Sequence, residues 1–196
     1  MAVDIAEVKR LKDLTGVGLT DAKAALDEAE GDFDKALEAM RKKGLTKAEK
    51  RGEREAREGI VGSYNHDGRI GVIVEVNCET DFVARGEAFQ ELVKDVAMHI
   101  AASNPEYVSA DEIPADVREA KKQELLAADA LKGKPSDMAE KIVEGQLKKY
   151  FAELCLLDQP YIKNPDQTVG DYVKESAARI NENVVVRRFA RIELGR

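Results

Sequence analysis

The chain has 196 residues, of which 43% are hydrophobic and 35% charged, and its formal net charge is −7. This composition is typical of a globular protein, and the negative charge argues against a nucleic-acid-binding protein that acts through its overall field. Tryptophan is absent and aromatic residues make up only 5% of the chain, so a surface for stacking bases is not expected.

The two cysteines, Cys78 and Cys155, are far apart and lie outside any CxxC pattern. We therefore expect two buried free thiols and a reducing compartment. The N-terminal stretch MAVDIAEVKR has neither the basic nor the apolar region of a signal peptide. No apolar run approaches the roughly 20 residues that a membrane span needs. The sequence predicts a cytoplasmic protein that does not contact a membrane.

The first 45 residues are predicted to form three short amphipathic helices. Apolar residues recur at helical spacing up to TGVG (15–18), where two glycines permit a tight turn. Thr20 is predicted to cap the second helix, which ends at Gly31 in a left-handed conformation. Asp32 is predicted to cap the third helix, which is expected to end at Gly44. A bundle this small encloses little space, so it is typical of a docking module.

The next segment, TKAEKRGEREARE (46–58), contains no large apolar side chain. Thr46 and Glu49 form a capping-box pattern, which allows a solvent-exposed helix. Five basic residues suggest a nucleic-acid-binding arm, but four glutamates lie between them. A charged linker is the preferred interpretation.

Residues 59–196 are predicted to form a second domain of the α+β class. It begins with a β-hairpin whose turn contains Asp67 and Gly68, and it ends with a strand in NVVVRRFARIEL (183–194). Helices lie between these strands, so we expect an antiparallel sheet covered on one face by helices.

The elements between the hairpin and the final strand follow from periodicity and from breaks. One predicted helix has a buried stripe of Phe89, Leu92, Val93, Val96 and Ile100. The others are a helix from Pro114 to about Leu131, a break at GKP (133–135), a long helix up to Leu154, an extended piece at 160–162 and a helix near 169–180.

The stretch NCETDFVAR, which follows the second strand of the hairpin, allows two interpretations. Phe82 precedes Phe89 by seven residues, so an unbroken helix would bury both rings in one stripe. Gly86 interrupts that helix at a cost of about 1 kcal/mol, and Thr80 and Asp81 both suit a helix cap. The alternative is therefore a separate turn with an exposed tip, and the residues alone leave both interpretations open.

Few residues suit catalysis. Cys78, His99 and Asp81 could be drawn as a nucleophilic triad, but no nucleophile elbow surrounds Cys78, and His99 follows about five helical turns later. The sequence has no phosphate-binding loop, dinucleotide fingerprint or metal-ligand spacing. We expect a protein that is not an enzyme and that binds no cofactor and no metal.

A basic cluster near the C-terminus contains Arg187, Arg188 and Arg191. Arg188 and Arg191 lie on opposite faces of an ideal strand, so they do not form one phosphate-binding stripe. We expect these arginines to form ordinary ion pairs with acidic side chains.

Two stretches resemble the signatures of a known family. LKDLTGVGLTDAKAAL (11–26) resembles the N-terminal signature of bacterial elongation factor Ts, and EVNCETDFVA (75–84) is similar to its second signature. GKPSDMAEKIVEGQLKKY, LLDQPYIK and VVVRRFARIELG also match, so the resemblance covers nearly the whole chain. The departures are Leu19 and Thr20, where methionines are usual, and Gln146, where arginine is expected.

The resemblance implies a guanine nucleotide exchange factor for elongation factor Tu, the GTPase that delivers aminoacyl-tRNA. The first 45 residues would form a ubiquitin-associated-like module that contacts the nucleotide domain of the GTPase, through Leu11, Gly16, Val17, Gly18 and Leu19. A turn that would enter the GTPase near its magnesium ion and dislodge it comprises Thr80, Asp81, Phe82 and Val83. The resemblance thus implies an exposed tip for Phe82.

The resemblance also bears on assembly. Longer members of the family carry two related core subdomains, whereas the pattern GVIVEVNCETDF occurs once here. This implies a homodimer, with the apolar faces of the helix at 136–155 and of the final strand as candidate contacts, and with each GTPase touching both chains. The rival classes are a hydrolase built on Cys78 and a binding module for ubiquitin-like or nascent-chain surfaces.

Overall fold

The computed structural model describes residues 4–15, 17–127 and 136–196. The helices are α1 (Ile5–Thr15), α2 (Leu19–Glu28), α3 (Phe33–Arg51), α4 (Asp81–Ala84), α5 (Glu87–Ser103), α6 (Ala115–Leu126), α7 (Ser136–Leu154) and α8 (Val169–Ile180). The strands are β1 (Glu58–His66), β2 (Ile70–Cys78), β3 (Pro160–Tyr161), β4 (Asn164–Thr168) and β5 (Val185–Glu193). Short 3-10 helices span Ala110–Glu112 and Leu156–Asp158.

The first three helices pack around a small apolar core, whose buried members are Val8, Leu11, Ala22, Ala25, Leu26, Ala36 and Met40. Gly31 has a φ of 88°, and the Asp32 carboxylate accepts the backbone N–H of Lys35 at 3.1 Å at the start of α3. The left-handed conformation of Gly31 and the cap at Asp32 are confirmed, but α2 ends at Glu28, three residues before Gly31. The second helix begins two residues earlier than predicted, because Gly18 occupies the cap position and Thr20 lies inside the first turn.

The third helix does not end at Gly44 but continues to Arg51. A glycine lowers helix propensity by about 1 kcal/mol without removing a backbone hydrogen bond, and the TKAEKR that follows consists mostly of strong helix formers. The first half of the 46–58 segment is therefore helical, and its last residue, Glu58, begins β1. The division of the chain into domains at residues 45 and 58 stays a prediction.

The main sheet has the order β1-β2-β5, and both pairs of neighbouring strands are antiparallel. Asp67 and Gly68 both have positive φ, 51° and 69°, as the two central residues of a type I′ hairpin turn require. The backbone N–H of Arg69 closes the turn by donating to the carbonyl of His66 at 2.9 Å. The predicted hairpin is confirmed.

One face of this sheet packs against α5, and α8 packs against α5 within the same apolar core. Val72, Val74 and Val76 point inward from β2 and are buried, as are the five predicted stripe residues of α5. Gly62 in β1 lets the helix approach closely, because a Cβ at this position would lie 2.3 Å from Cγ1 of Val93. The chain is therefore of the predicted α+β class, with an antiparallel sheet covered by helices.

The other elements of the second half of the chain include β3, β4, α6 and α8. β3 and β4 make a two-stranded antiparallel sheet, of which only the first strand was predicted as extended. α8 spans the predicted residues and begins with a capping box between Thr168 and Asp171. α6 ends at Leu126 rather than near Leu131. α6 buries no residue. Because tertiary packing usually supplies most of a helix's stability, α6 gains little support from the core for further helical turns after Leu126.

α7 corresponds to the predicted long helix and packs beside α6. Phe151 of α7 is buried there together with Ile113 and Cys155. The predicted break at GKP lies outside the described residues. Among the helices that the structure describes, none combines the length and apolar character needed to cross a membrane.

Candidate functional site

A four-residue helix, α4, follows the end of β2 and forms a separate turn. Thr80 is its cap residue, since the Thr80 hydroxyl oxygen accepts the backbone N–H of Val83 at 3.3 Å. Arg85 ends the helix, and Gly86 becomes the cap of α5 in an extended conformation. The break at Gly86 belongs to one of the two interpretations that the residues left open, and it reorients the chain between the two helices.

The 80–83 turn (Thr80, Asp81, Phe82 and Val83) has an exposed tip and an anchored base. Phe82 is 84% exposed, the largest fraction among the large hydrophobic side chains that the structure describes, whereas Phe89 is 1% exposed. Val83 packs against the main core, and Ala84 is buried in it. The interpretation of Phe82 as part of the buried stripe is therefore wrong, and the exposed tip is correct.

Asp81 lies beside Phe82 and is also exposed. Its carboxylate is 2.9 Å from Nη2 of Arg85, and both side chains are largely open to solvent. An exposed ion pair of this kind contributes about 0.2–1 kcal/mol. The Asp81 carboxylate can therefore exchange Arg85 for another partner at little cost.

The base of the turn is held by a glutamate from the loop between α8 and β5. One carboxylate oxygen of Glu182 accepts the backbone N–H groups of Glu79 and Thr80, at 3.0 and 3.1 Å. The other accepts the hydroxyl of Thr80 at 2.6 Å. In return, the Glu79 carboxylate accepts the backbone N–H of Asn183 at 2.7 Å. We call these four residues, Glu79, Thr80, Glu182 and Asn183, the acidic brace.

Glu182 and Asn183 were not among the residues predicted from the sequence. Their partners lie more than 100 residues earlier in the chain, and no periodicity or turn motif reports a contact at that separation. The polar NEN (181–183) before an apolar strand was the only local signal.

The candidate residues in the N-terminal helices differ in accessibility. Leu11 is fully buried in the small core, Val17 packs against it, and Gly18 and Leu19 are exposed. Gly16 lies outside the described residues. Leu14, an exposed leucine at the end of α1, was not among the predicted contacts. A role for these residues in binding a partner stays a prediction.

The conceivable nucleophilic triad is not assembled. The Cys78 thiol is buried and donates to the carbonyl of Thr80 at 3.2 Å. Burial, with a smaller effect from the Glu182 charge, raises the pKa of Cys78 to about 11, so the thiol is protonated at neutral pH. Asp81 instead contacts Arg85.

His99 belongs to a separate buried contact. Its Nδ1 accepts the backbone N–H of Ile162 at 3.3 Å, so Nε2 carries the proton and donates to the side-chain oxygen of Gln159 at 2.9 Å. Burial lowers the pKa of His99. The imidazole is therefore a neutral part of the core.

Of the three arginines in the basic cluster near the C-terminus, two form ion pairs, as predicted, and Arg187 donates from Nε to the side-chain oxygen of Asn77 at 3.4 Å. Arg188 contacts Glu75 at 2.7 Å, and Arg191 contacts Glu193 at 2.8 Å. Both cysteines are free and buried, which confirms the expected thiols. Over residues 4–15, 17–127 and 136–196, no group of three or more His, Cys, Asp or Glu residues could hold a metal ion.

Comparison with known proteins agrees with the resemblance in the sequence. The family model described as Elongation factor TS matches residues 6–196. The chain is 49% identical to elongation factor Ts of Thermodesulfovibrio yellowstonii over 195 residues, which cover 100% of the chain and 98% of the relative.

Two further relatives show similar coverage. Elongation factor Ts of Geobacter sulfurreducens is 51% identical over 196 residues, covering 100% of the chain and 91% of the relative. Elongation factor Ts of Prochlorococcus marinus strain AS9601 is 58% identical over 190 residues, covering 96% of the chain and 87% of the relative. The chain therefore belongs to the elongation factor Ts family.

Proposed function

We propose that this protein is a guanine nucleotide exchange factor for elongation factor Tu, and that it promotes GDP release by inserting the 80–83 turn near the magnesium ion of the GTPase. The observation that carries the proposal is the 84% exposure of Phe82 on a turn whose base is braced. The family match over residues 6–196 supports the same role. In this role the protein changes no covalent bond, contacts no nucleic acid directly and acts in the cytoplasm.

The exposed ring of Phe82 suits insertion into a partner. Burying a phenylalanine side chain contributes about 1.5–3 kcal/mol, and in the isolated chain this contribution is not realised. Aromatic side chains that fill a pocket on a partner are among the strongest single contributors to an interface. The ring of Phe82 is thus available to be buried against the GTPase near its magnesium ion.

Magnesium is sensitive to such a wedge because it requires near-octahedral geometry at short distances. A ring that displaces one ligand-bearing element of the GTPase spoils that geometry and weakens the hold on GDP. Asp81 would bring a carboxylate near the same magnesium ion, because its ion pair with Arg85 is exposed. The two side chains together form the proposed wedge.

Burial of Phe82 cannot supply all the free energy needed to release GDP. Shifting a two-state equilibrium from 1:99 to 99:1 needs about 5.5 kcal/mol of differential binding, which exceeds the burial of one ring. We assign the rest to the core and to the N-terminal helices, which would act as a ubiquitin-associated-like module. Val17, Gly18 and Leu19 would contact the GTPase there, and Leu11 would hold their position from the core of the bundle.

Coupling between the exchange factor and the nucleotide is reciprocal. A protein that weakens GDP binding to the GTPase is itself weakened by rebinding nucleotide to the same extent. The factor therefore stabilises the nucleotide-free GTPase and leaves when nucleotide returns.

We also propose that the protein acts as a homodimer. The outer face of the β1-β2-β5 sheet exposes Val61, Ile73 and Ile192, and Leu194 follows β5. A contiguous apolar surface is a feature of interaction sites rather than of free monomers. On α7, Val143 and Phe151 are buried, whereas Met138 and Tyr150 are exposed, so α7 stays a second candidate contact beside the sheet face.

The assembly is tested by light scattering on the wild type and on Ile73→Asp. We expect twice the monomer mass of 21.6 kDa for the wild type and the monomer mass for Ile73→Asp. Val117→Asp, on the partly exposed surface of α6, is the control and should remain dimeric. A wild-type mass near 21.6 kDa with full exchange activity contradicts the dimer.

The function is tested by the release of fluorescent GDP from elongation factor Tu. We expect release to accelerate with the concentration of this protein. A thiol-alkylating reagent should leave the rate unchanged, because Cys78 and Cys155 are buried, whereas it would block a hydrolase built on Cys78. Release that stays at its intrinsic rate at every concentration tested excludes the proposed function.

A further inference from the structure

The acidic brace fixes the base of the 80–83 turn through an exchange of hydrogen bonds between two loops. Glu182 accepts the backbone N–H groups of Glu79 and Thr80 and the Thr80 hydroxyl. The Glu79 carboxylate accepts the backbone N–H of Asn183. Each loop therefore uses a carboxylate to satisfy backbone donors of the other, which orients the segment immediately before Asp81 and Phe82.

The contact to Thr80 also controls how α4 is capped. A hydroxyl has one proton and two lone pairs. Because Thr80 donates its proton to Glu182 at 2.6 Å, a lone pair remains to accept the backbone N–H of Val83 at 3.3 Å. A helix of four residues cannot form stably without external support. Glu182 thus supplies support that the α4 sequence lacks.

The same brace reaches the end of α3. The Asn183 side chain donates to the carbonyls of Gly52 and Arg54, at 3.3 and 2.7 Å. The Arg54 guanidinium lies 3.5 Å from the Glu79 carboxylate. The segment that follows the N-terminal helices and the segment that precedes Phe82 are therefore tied to one loop.

We propose that Glu182 is a positioning residue for nucleotide exchange, which holds the Asp81 and Phe82 tip in the direction needed to enter the GTPase. The inference rests on the proposed function. All the hydrogen bonds that Glu182 makes among the described residues go to Glu79 and Thr80, and Glu182 is not a member of the apolar core cluster. Its removal therefore releases the turn while the core remains packed.

The test compares Glu182→Ala with Glu182→Gln in GDP release from elongation factor Tu, measured against the concentration of exchange factor. Glu182→Ala is expected to lower the maximal rate about tenfold, as a misdirected group does, with the half-saturating concentration unchanged. Glu182→Gln is expected to recover most of the rate. Its amide oxygen can accept the two backbone N–H groups, and its NH2 can donate to the Thr80 oxygen.

A control glutamate and a second background separate positioning from general stability. Glu112 accepts the backbone N–H of Val108 at 2.8 Å in the loop before α6, so Glu112→Ala removes a bond of the same type and should leave exchange unchanged. In a background with both Asp81→Ala and Phe82→Ala, Glu182→Ala is expected to have no further effect, because the two groups that it orients are already gone.

The outcomes distinguish the inference from the proposed function. If Phe82→Ala exchanges at the wild-type rate, the wedge in the proposed function fails and this inference fails with it, although exchange itself stands. If Phe82→Ala is impaired while Glu182→Ala reaches the wild-type maximal rate, only the inference is overturned. A raised half-saturating concentration with an unchanged maximal rate also overturns it, because that result reports a loss of folded protein.

A second variant decides the matter if Glu182→Ala does not fold. Thr80→Val removes the hydroxyl but keeps the two backbone bonds to Glu182. We expect a smaller fall in the maximal rate, about threefold, since part of the orientation remains. A wild-type maximal rate in Thr80→Val would then overturn the inference.

Discussion

Two phenylalanines seven residues apart in the sequence have opposite environments. Phe89, in the first turn of α5, is 1% exposed and packs against the sheet, whereas Phe82, in α4, is 84% exposed. Seven residues are close to two helical turns, so one unbroken helix would have placed both rings on the same face. The break at Gly86 makes the difference.

The contrast lies between a helix that packs into the core and a neighbouring turn whose tip does not. α5 contributes apolar burial, which is the main favourable term in folding. α4 buries Ala84 and partly buries Val83, and it leaves its largest side chain in solvent. Substitutions in α5 should therefore act on stability, and substitutions at the tip of α4 should act on exchange.

The largest effect is expected for Phe89→Ala. Truncation of a fully buried phenylalanine leaves a cavity and costs about 3–5 kcal/mol of the free energy of unfolding. The measurement is urea or thermal unfolding of both proteins. A loss of less than about 1 kcal/mol in the free energy of unfolding would show that neighbouring side chains fill the cavity at little cost. Phe89 and Phe82 would then differ less in their contribution to stability than in their exposure.

The next effect concerns a buried carboxylate on α5. Asp95 accepts the hydroxyls of Tyr161 and Tyr172, at 2.8 and 2.9 Å, and contacts Nζ of Lys163 at 2.6 Å. Burial by itself would raise the pKa of Asp95, but the hydrogen bonds from Lys163, Tyr161 and Tyr172 outweigh burial and hold the pKa below its usual value of 3.8. Asp95→Asn should lower stability by about 2 kcal/mol at pH 7, since hydrogen bonds to a charged group are lost.

The pH dependence of this effect has a definite sign. Because the folded-state pKa of Asp95 is depressed, the contribution of the carboxylate is complete above the unfolded-state pKa, about 3.9, and is lost as the pH falls through the folded-state pKa. The difference in the free energy of unfolding between wild type and Asp95→Asn should therefore be constant near neutral pH and shrink below about pH 4. A difference that grew on acidification would contradict this role.

Phe82→Ala should show the reverse pattern. Its free energy of unfolding is expected to stay within about 0.5 kcal/mol of the wild type, as for a surface site. GDP release should slow at least about tenfold, if a loss of about 2 kcal/mol at a hot spot falls mainly on the transition state for exchange. Melting curves and GDP-release rates on the same sample provide the test. The wedge is excluded by a strongly destabilised variant, or by a stable one that exchanges at the normal rate.

The smallest effect on stability is expected for Asp81→Ala. Thr80, and not Asp81, caps α4, and the pair of Asp81 with Arg85 is exposed, so the free energy of unfolding should change by about 0.5 kcal/mol or less. Exchange should slow, because the wedge loses its carboxylate. A loss of about 1 kcal/mol of stability with unchanged exchange would assign Asp81 to helix capping instead.

Several features could be predicted from the sequence because their causes are local. Asp67 and Gly68 produce the hairpin turn, periodicity identifies the buried stripe of α5, and Gly86 separates α4 from α5. Each signal lies within a few residues of the structure that it determines. The candidate turn had local signals of the same kind, in Thr80 and Asp81 as possible caps and in the glycine after them, but the family resemblance was needed to choose it.

The tertiary structure decided what these signals could not. Local pattern alone left the orientation of Phe82 open, since both an unbroken helix and a separate turn agreed with it. The end of α3 beyond Gly44 and the strand β4 were not predicted. Helix ends and strand partners depend on packing as well as on propensity.

Glu182 is the clearest case of this kind. Its contacts to Glu79 and Thr80 join positions 103 and 102 residues apart, and a hydrogen bond formed across that separation leaves no pattern in either segment. The sequence by itself supplied the residues for a capped turn after β2, with Thr80 as the cap and Gly86 as the break. The direction in which its tip points depends on the fold that brings the two loops together, because only there does the Glu182 carboxylate meet the backbone donors that it satisfies.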